Sequence, residues 1–307
     1  MPDGFLLDML QSLFTILTDG LIYGSYLFIV AVGLTVIFGV QRVLNVTHGS
    51  FYAFGAYLAA YLGAMWYESE LPDFGGFVII FLVPIVVGVV FGVLIERGLL
   101  KHLYGKDEHI VVLATFAAFL ALEGVSLFIW GTDPYFFYQP QAMLGFVEIV
   151  GMTYDYYNLS LIALALIIAM ALWYFLARTI WGRMLQAVIF DREISQAMGI
   201  NVTAVFLGTF ILGTTLGALG GAAIAPTISV LPGIGVEVIV LAFAVVVIGG
   251  MGSVPGALIG SILVGVVRAA AVHEFPHAEM FVIYAIMAIV LVFRPEGLFA
   301  PPAVRKI

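Results

Sequence analysis

The sequence predicts an all-α membrane protein with about eight or nine transmembrane helices, its N-terminus outside and its C-terminus in the cytoplasm. Of the 307 residues, 63% are apolar and only 10% are charged, whereas soluble domains carry about 25% charged residues. Several apolar runs reach about 20 residues, the length of a helix that spans a hydrocarbon core of ~30 Å. These runs are continuous rather than alternating, which is not the pattern of a transmembrane barrel.

The apolar runs define the predicted helices in order. They cover residues 13–38, 49–66, 77–95, 110–130, 158–177, 203–225, 237–271 and 280–293. The seventh run is interrupted at 249–256 by GGMGSVPG, and nine crossings result if this run crosses twice. We treat 1–307 as one transmembrane domain. The N-terminal sequence MPDGFLLDML has neither a basic region nor a small-residue cleavage site, so an uncleaved first helix is expected.

One interruption of the apolar runs is the mixed-charge segment 178–203, which reads RTIWGRMLQAVIFDREISQAMGINVT. It carries Arg178, Arg183, Asp191, Arg192 and Glu193. Charges at this density are too costly to place in hydrocarbon, and the segment is too long and too helix-prone to be only a turn. It is therefore predicted to be a cytoplasmic loop with a helix that is presented to a soluble partner.

The positive-inside rule sets the orientation. Ten of the 11 Lys and Arg residues fall in the first connector, the loop 96–109, the mixed-charge segment and the C-terminal tail. They are Arg42, Arg97, Lys101, Lys106, Arg178, Arg183, Arg192, Arg294, Arg305 and Lys306, and only Arg268 lies elsewhere. The intervening loops carry acids without bases, at Glu68, Glu70, Asp73, Asp133, Glu148 and Asp155. Basic regions in the cytoplasm require the N-terminus outside, the C-terminus inside and an odd number of crossings.

The sequence contains no recognisable motif for catalysis. A phosphate-binding loop needs GxxxxGK[ST], but the Gly-Lys pair at Gly105 and Lys106 is followed by Asp107. There are no cysteines, only five histidines, and no HExxH or GxSxG motif. We therefore expect no enzyme activity, no metal site, no cofactor in this chain and no nucleic-acid partner.

A few ionisable residues fall within or at the ends of the apolar runs: Asp19, Glu123, Glu237 and Arg268. Such groups usually face a cavity or a partner. Asp19, Glu237 and Arg268 are predicted near the outer surface, where they either snorkel or pair with one another, or form a polar vestibule for a zwitterionic solute. Glu123 is a weaker candidate for proton coupling, because no acid or histidine near it in the sequence suggests a partner.

Polar residues also cluster in the connector NVTHGSFYAFGAY, which begins at Asn45. Thr47 or Ser50 is expected to cap the second helix, and a helix N-terminus that points inward can receive a carboxylate. Tyr52 follows His48 by four residues, so the two share a helix face. The connector is either a capped and packed turn or part of a translocation path through Asn45, Thr47, His48, Tyr52, Glu237 and Arg268.

Four stretches carry a resemblance to a known family. They are DGLIYGSYLFIVAVGLTVIFGVQRVLNVTHGSFYAFGAY, GRMLQAVIFDREISQAMGIN, VIGGMGSVPGALIGSILVG and the ending FRPEGLF. In this order and spacing, over residues 19–299, they resemble the permeases of branched-chain amino acid ABC importers, in which an Asn-x-x-His-Gly connector joins the first two spans.

The resemblance implies a transmembrane permease subunit in a bacterial inner membrane. Its implied partners are membrane lipid, a second related permease, two cytoplasmic subunits that bind ATP and Mg²⁺, and a periplasmic solute-binding protein. It also implies an ATPase-coupling helix at 191–198. Glu193, Ala197 and Gly199 resemble the sparse pattern of importer coupling loops, and Arg183, Asp191 and Arg192 flank them.

The sequence also departs from the family. Relatives commonly have Asn-Phe-Ala-His-Gly-Glu where this chain has NVTHGS from Asn45, and the loop 131–157 is unusually aromatic. The solute therefore stays open among branched-chain amino acids, amides, urea and aromatic acids. An autonomous channel or secondary transporter is the alternative, and a scaffold without transport is a third possibility.

Overall fold

A computed structural model describes residues 2–69 and 71–299, with side chains described for 9–69, 71–277 and 281–299. In this part the chain forms twelve α-helices and one two-stranded sheet. The helices are α1 (Pro2–Gln41), α2 (His48–Glu68), α3 (Gly75–Gly98), α4 (Glu108–Trp130), α5 (Gln139–Leu144), α6 (Tyr156–Arg178), α7 (Ile180–Phe190), α8 (Arg192–Ala197), α9 (Val202–Ile224), α10 (Ile234–Gly249), α11 (Val254–Glu274) and α12 (Glu279–Phe293). The strands are β1 (Phe146–Ile149) and β2 (Met152–Asp155).

Six helical segments in the described residues are long and apolar enough to cross a membrane. They are Met9–Gln41, Gly75–His102, Glu108–Trp130, Tyr156–Arg178, Val202–Thr227 and Val254–Glu274. The prediction of a helical membrane protein is thus confirmed, whereas eight or nine crossings and the orientation stay predictions. Helix α10 has 16 residues, about 24 Å at 1.5 Å per residue, which is shorter than a hydrocarbon core. Glu70, Arg305 and Lys306, which the orientation prediction uses, lie outside the described residues.

The loop predicted at 131–157 contains structure that the all-α prediction missed. It holds α5 and an antiparallel hairpin in which Phe146 pairs with Asp155 and Ile149 with Met152. The turn residues Val150 and Gly151 have φ of 53° and 76°, the backbone geometry of a tight two-residue hairpin turn. Strands of four residues are too short to show a clear alternation of apolar and polar residues in the sequence, so the hairpin was not predicted.

The core lies around α1 and α9. Helix α1 packs chiefly against α11 and α9, and α9 also packs against α2 and α3. In the most apolar stretch of α1, 78% of the residues are buried within the chain, whereas the corresponding share is 22% for α4 and for α6. A helix that is apolar on all sides and buried is a core helix, so α4 and α6 form the periphery.

Glycines let the core helices approach closely. A Cβ atom on Gly265 of α11 would lie 2.8 Å from the Cα atom of Gly24 in α1, and one on Gly20 would lie 2.6 Å from the Cα atom of Val266. Real Cβ atoms do not come this close to backbone, so these residues must be glycine for the two helices to touch. The glycines of α1 and α11 therefore serve packing.

Candidate functional site

A cavity of about 810 Å³ lies between α1, α2, β2, α6, α10 and α11. We call it the tyrosine cavity, because Tyr23, Tyr26, Tyr52 and Tyr154 line it. Its volume falls in the range of ~300–1,000 Å³ that is typical of small-molecule sites. Helix α1 contributes the first two tyrosines one turn apart, while α2 and β2 contribute the other two.

Tyr26 and Tyr52 close the cavity where it meets the core. The hydroxyl of Tyr26 donates a hydrogen bond to that of Tyr52 over 3.1 Å. Both side chains are buried and belong to the same apolar cluster as α10 and α11. The pair therefore forms a floor between the cavity and the interior of the bundle. Sequence reasoning selected Tyr52 but missed Tyr26, which no local pattern distinguishes from the other α1 residues.

The cavity brings together the three predicted vestibule residues, Asp19, Glu237 and Arg268. The Asp19 carboxylate lies 3.3 Å from the Nε2 atom of His273, an exposed pair of the kind that contributes little stability. The Arg268 guanidinium lies 3.8 Å from the centroid of the Tyr23 ring, within the range of a cation–π contact. Charges of both signs thus line one cavity.

The β2 strand adds a polar group that the sequence did not suggest. Tyr154 is 7% exposed, and its hydroxyl is buried with no hydrogen-bond partner in the part of the chain that the structure describes. Next to it, Asp155 accepts hydrogen bonds from Gln141 at 2.9 Å and from Asn158 at 3.1 Å. A buried hydroxyl without a partner is uncommon, so Tyr154, whose residue lines the cavity, keeps unused hydrogen-bonding capacity.

The connector residues do not reach the tyrosine cavity, with the exception of Tyr52. Asn45, Thr47 and His48 are fully buried. The Thr47 hydroxyl donates to the side-chain oxygen of Asn45, and Thr47 makes no side-chain cap on α2. The Ser50 hydroxyl lies 3.5 Å from the carbonyl oxygen of Phe119. Among the described residues, no backbone N–H at the start of α2 donates to the hydroxyl of Thr47 or Ser50, so the predicted cap is wrong.

His48 packs at the junction of α1, α2 and α9. Its Nε2 atom lies 2.9 Å from the carbonyl oxygen of Val30, so Nε2 carries the proton in this contact. Its Nδ1 atom is buried without a hydrogen-bond partner among the described residues. The imidazole lies against Gly33 and Gly217, so in this conformation it fills a glycine-lined space rather than a channel.

Glu123 of α4 holds the loop before α10. Its Oε1 atom accepts a hydrogen bond of 2.8 Å from the backbone N–H of Gly233, the residue that precedes α10 with φ of 89°. The other oxygen, Oε2, is buried and has no hydrogen-bond partner in the described chain. In this contact the carboxylate joins a peripheral helix to the rim of the tyrosine cavity.

At the other end of the bundle, α7 and α8 occupy the mixed-charge segment. Asp191 lies between them and caps α8, since its Oδ1 atom accepts a hydrogen bond of 2.9 Å from Ile194 N–H. The Arg192 guanidinium lies 5.1 Å from the ring centroid of Phe206 and 5.8 Å from that of Tyr104. Burial raises the pKa of Tyr104 well above its usual value, so this ring stays neutral. Four other predicted coupling residues are exposed: Arg183, Glu193, Ala197 and Gly199.

The same segment exposes apolar side chains that the charge-based prediction overlooked. Phe190 is 72% exposed, Ile194 59% and Met198 79%. Large exposed apolar residues rimmed by charges are typical of an interaction surface. Their four-residue spacing was visible in the sequence, but only the structure shows that they are not part of the core.

Comparison with known proteins gives matches over most of the chain. The family model described as branched-chain amino acid transport system / permease component matches residues 16–291. The chain is similar to the high-affinity branched-chain amino acid transport system permease protein BraD of Pseudomonas aeruginosa, at 28% identity over 95% of this chain and 97% of that protein. It is also similar to the corresponding permease protein LivH of Escherichia coli K12, at 26% identity over 98% of each.

Among solved structures, PsaBC from Streptococcus pneumoniae in complex with Fab aligns with 98% of this chain and 97% of its own chain. The sequence identity is 16% and the TM-score is 0.49. A likeness of this degree adds nothing to the fold described above.

Proposed function

Because the chain belongs to the family of branched-chain amino acid transport permease components, we propose that it forms the translocation path for branched-chain amino acids or similar small polar solutes in an ATP-driven importer. Relatives are transport permease subunits rather than enzymes. The chain carries no phosphate-binding motif, so separate cytoplasmic ATPase subunits bind ATP and Mg²⁺ and hydrolyse the nucleotide. A second permease subunit and a periplasmic binding protein complete the importer in the bacterial inner membrane.

The tyrosine cavity is the observation that carries this proposal. It is large enough for a small solute and is lined by Glu237 and Arg268 as well as by apolar side chains such as Leu241 and Ile224. A zwitterion needs charges of both signs in one place, and a short apolar side chain needs an apolar wall. The solute therefore enters this cavity, and the hydrogen-bonded floor must part before it moves on.

The coupling surface is assigned to the exposed face of α7 and α8. Phe190, Ile194 and Met198 are exposed, and Arg183, Asp191, Arg192, Glu193, Ala197 and Gly199 lie in the same segment of the chain. An apolar helix face that lies in a groove of a soluble partner is a common mode of recognition. We assign the ATPase contact to this face, with the charged residues at its rim.

The test is ATP-dependent solute uptake by the reconstituted importer, together with co-purification of the ATPase. Ile194→Asp places a charge among the exposed apolar side chains of this segment, and we expect the ATPase to be lost from the purified complex. Phe146→Asp is the matched control, because Phe146 is an exposed apolar residue of β1 at the opposite end of α6. It should retain the ATPase.

Two results would contradict the proposal. Undiminished ATPase binding and leucine uptake in the Ile194→Asp complex would remove α8 from the coupling contact. ATP-independent flux of leucine into liposomes that contain this chain alone would instead favour an autonomous channel or secondary transporter. In that case Glu123 would be the first carboxylate to replace.

A further inference from the structure

A second cleft, of about 300 Å³, lies at the end of the bundle that carries α7 and α8. Three cationic residues from separate parts of the chain line it. Arg42 follows α1, Lys106 lies between α3 and α4, and Arg192 begins α8. Glu108 is the one acidic residue of this lining. We call this site the basic cleft, since its lining has an excess of positive charge.

The three cations make no direct ion pair within the described chain. None of the ion pairs between described residues involves Arg42, Lys106 or Arg192. The guanidinium of Arg192 is held over Phe206, and a cation on an aromatic face keeps its hydrogen-bond donors at the ring edge available. The cleft therefore presents a fixed guanidinium together with two further cations to an anion.

A buried amide of the same cleft is only half satisfied. Gln41 is 8% exposed and lines the cleft beside Arg42. Its Nε2 atom donates a hydrogen bond of 3.0 Å to the carbonyl oxygen of Phe206. Its Oε1 atom is buried without a partner in the part of the chain described here. Buried acceptors of this kind are usually paired, and a ligand hydroxyl group is a suitable donor.

We propose that the basic cleft binds a phosphate group that carries a neighbouring hydroxyl. The phosphate oxygens lie among Arg42, Lys106 and Arg192, and the hydroxyl donates to Gln41. Guanidinium and ammonium groups are the side chains best suited to phosphate oxygens. The ligand chemistry is thus that of a phosphoglycerol, either as a lipid headgroup or as a free phosphate compound.

The position of the cleft brings lipid headgroups within reach. Helix α1 ends at Gln41 and α4 begins at Glu108, so the cleft lies where two long apolar helices end. Lipid phosphates lie just outside the hydrocarbon core, and basic pockets between transmembrane helices bind anionic headgroups. A bound phosphate would link the end of α1, the α3–α4 loop and α8. This inference does not depend on the proposed function.

The full-length chain, purified in detergent, tests the site by native mass spectrometry. The probes are dioleoyl phosphatidylglycerol, phosphatidylmethanol of the same chain length, which lacks the headgroup hydroxyls, and phosphatidylcholine. We expect phosphatidylglycerol to bind more tightly than phosphatidylmethanol and about tenfold or more tightly than phosphatidylcholine. Competition by inorganic phosphate and by glycerol 3-phosphate distinguishes a lipid from a free phosphate as the source, and either result supports a phosphate site.

Lys106→Gln and Lys101→Gln form a matched pair of variants. Both residues are exposed cations of the same loop, but only Lys106 lines the cleft. Lys106→Gln should weaken phosphatidylglycerol binding by about tenfold, and Lys101→Gln should leave it unchanged. Arg42→Gln is the second variant should Lys106→Gln fail to fold. The proposal would be overturned if Lys106→Gln and Lys101→Gln weakened phosphatidylglycerol binding equally, or if phosphatidylcholine bound as tightly as phosphatidylglycerol. If phosphatidylmethanol bound as tightly as phosphatidylglycerol, the contact between the hydroxyl and Gln41 would be overturned.

Discussion

The imidazole of His48 lies where three helices meet, and two glycines make room for it. A Cβ atom on Gly217 of α9 would lie 2.6 Å from the Cε1 atom of His48, and one on Gly33 of α1 would lie 2.9 Å from the same atom. The ring also donates to the backbone of Val30. The buried ring thus packs between α1, α2 and α9 and contacts the backbone of α1.

Gly217→Ala is expected to destabilise the protein. The added methyl would overlap the buried ring, and overpacking of this kind costs about 1–3 kcal/mol. Gly208→Ala is the control in the same helix, because nothing lies within 4 Å of a Cβ atom built there. That change should be neutral or slightly stabilising, since alanine favours a helix over glycine by roughly 0.5–1 kcal/mol. The midpoint of thermal unfolding of the detergent-purified chain measures both effects.

A double substitution tests whether the His48 ring is the group that the added methyl overlaps. If the ring causes the loss, Gly217→Ala should lower the melting midpoint much less in a His48→Ala background, because the methyl then enters free space. Equal losses in the two backgrounds would show that the methyl clashes with something else.

At the scale of elements, the length of the apolar runs in the sequence predicted the helices well. The run predicted at 110–130 is α4, Glu108–Trp130, and the run at 203–225 is α9, Val202–Ile224. The glycine-rich break at 249–256 separates α10 from α11, because Gly250 and Gly252 adopt positive φ that would end a helix.

The candidate site was less predictable than the helices. Charged residues such as Glu237 and Arg268 stand out in an apolar sequence, and the structure places both at the tyrosine cavity. Tyr26 and Tyr154 could not be selected, because 14 tyrosines are present and their roles depend on which helices and strands meet. Which tyrosines line the cavity depends on tertiary contacts. Tyr26 and Tyr52 lie in different helices, and no local sequence pattern shows that they meet.

Helix α8 has only six residues, so its stability depends on its cap. Asp191→Ala removes the oxygen that accepts the Ile194 N–H, and loss of an N-cap costs about 1 kcal/mol. A helix this short is marginal without tertiary support, so its amide hydrogens should exchange about fivefold faster. Hydrogen exchange with mass spectrometry, read over residues 192–198, measures the change.

Asp191→Asn provides the control for the cap, because asparagine retains the side-chain oxygen and caps about as well as aspartate. Exchange over α8 should therefore stay near the level of the unsubstituted chain. Should Asn and Ala accelerate exchange equally, the charge of Asp191 rather than its hydrogen bond would stabilise α8.

At the scale of the whole molecule, the two ends of the bundle differ in charge and shape. Helix α6 connects the hairpin at one end to α7 at the other. The tyrosine cavity opens beside the hairpin, and the basic cleft lies beside α8. The chain after α12 returns to the break between α10 and α11, where Leu298 N–H donates to the carbonyl oxygen of Ile248. The basic end therefore also holds the described part of the C-terminal tail.

This polarity leads to a prediction of orientation that labelling can test. The natural chain has no cysteine, so single-cysteine variants report one position each against no background. Glu148→Cys on the exposed face of β1 should react with a membrane-impermeant maleimide in intact right-side-out vesicles, because acidic loops are expected outside. Gln196→Cys on exposed α8 should react only after the vesicles are permeabilised. Ala59→Cys, fully buried in α2, should stay unlabelled in both conditions and so controls for unfolded protein. The reverse pattern, with Gln196→Cys labelled in intact vesicles, would place the coupling face outside the cell and would exclude any contact between α8 and a cytoplasmic ATPase.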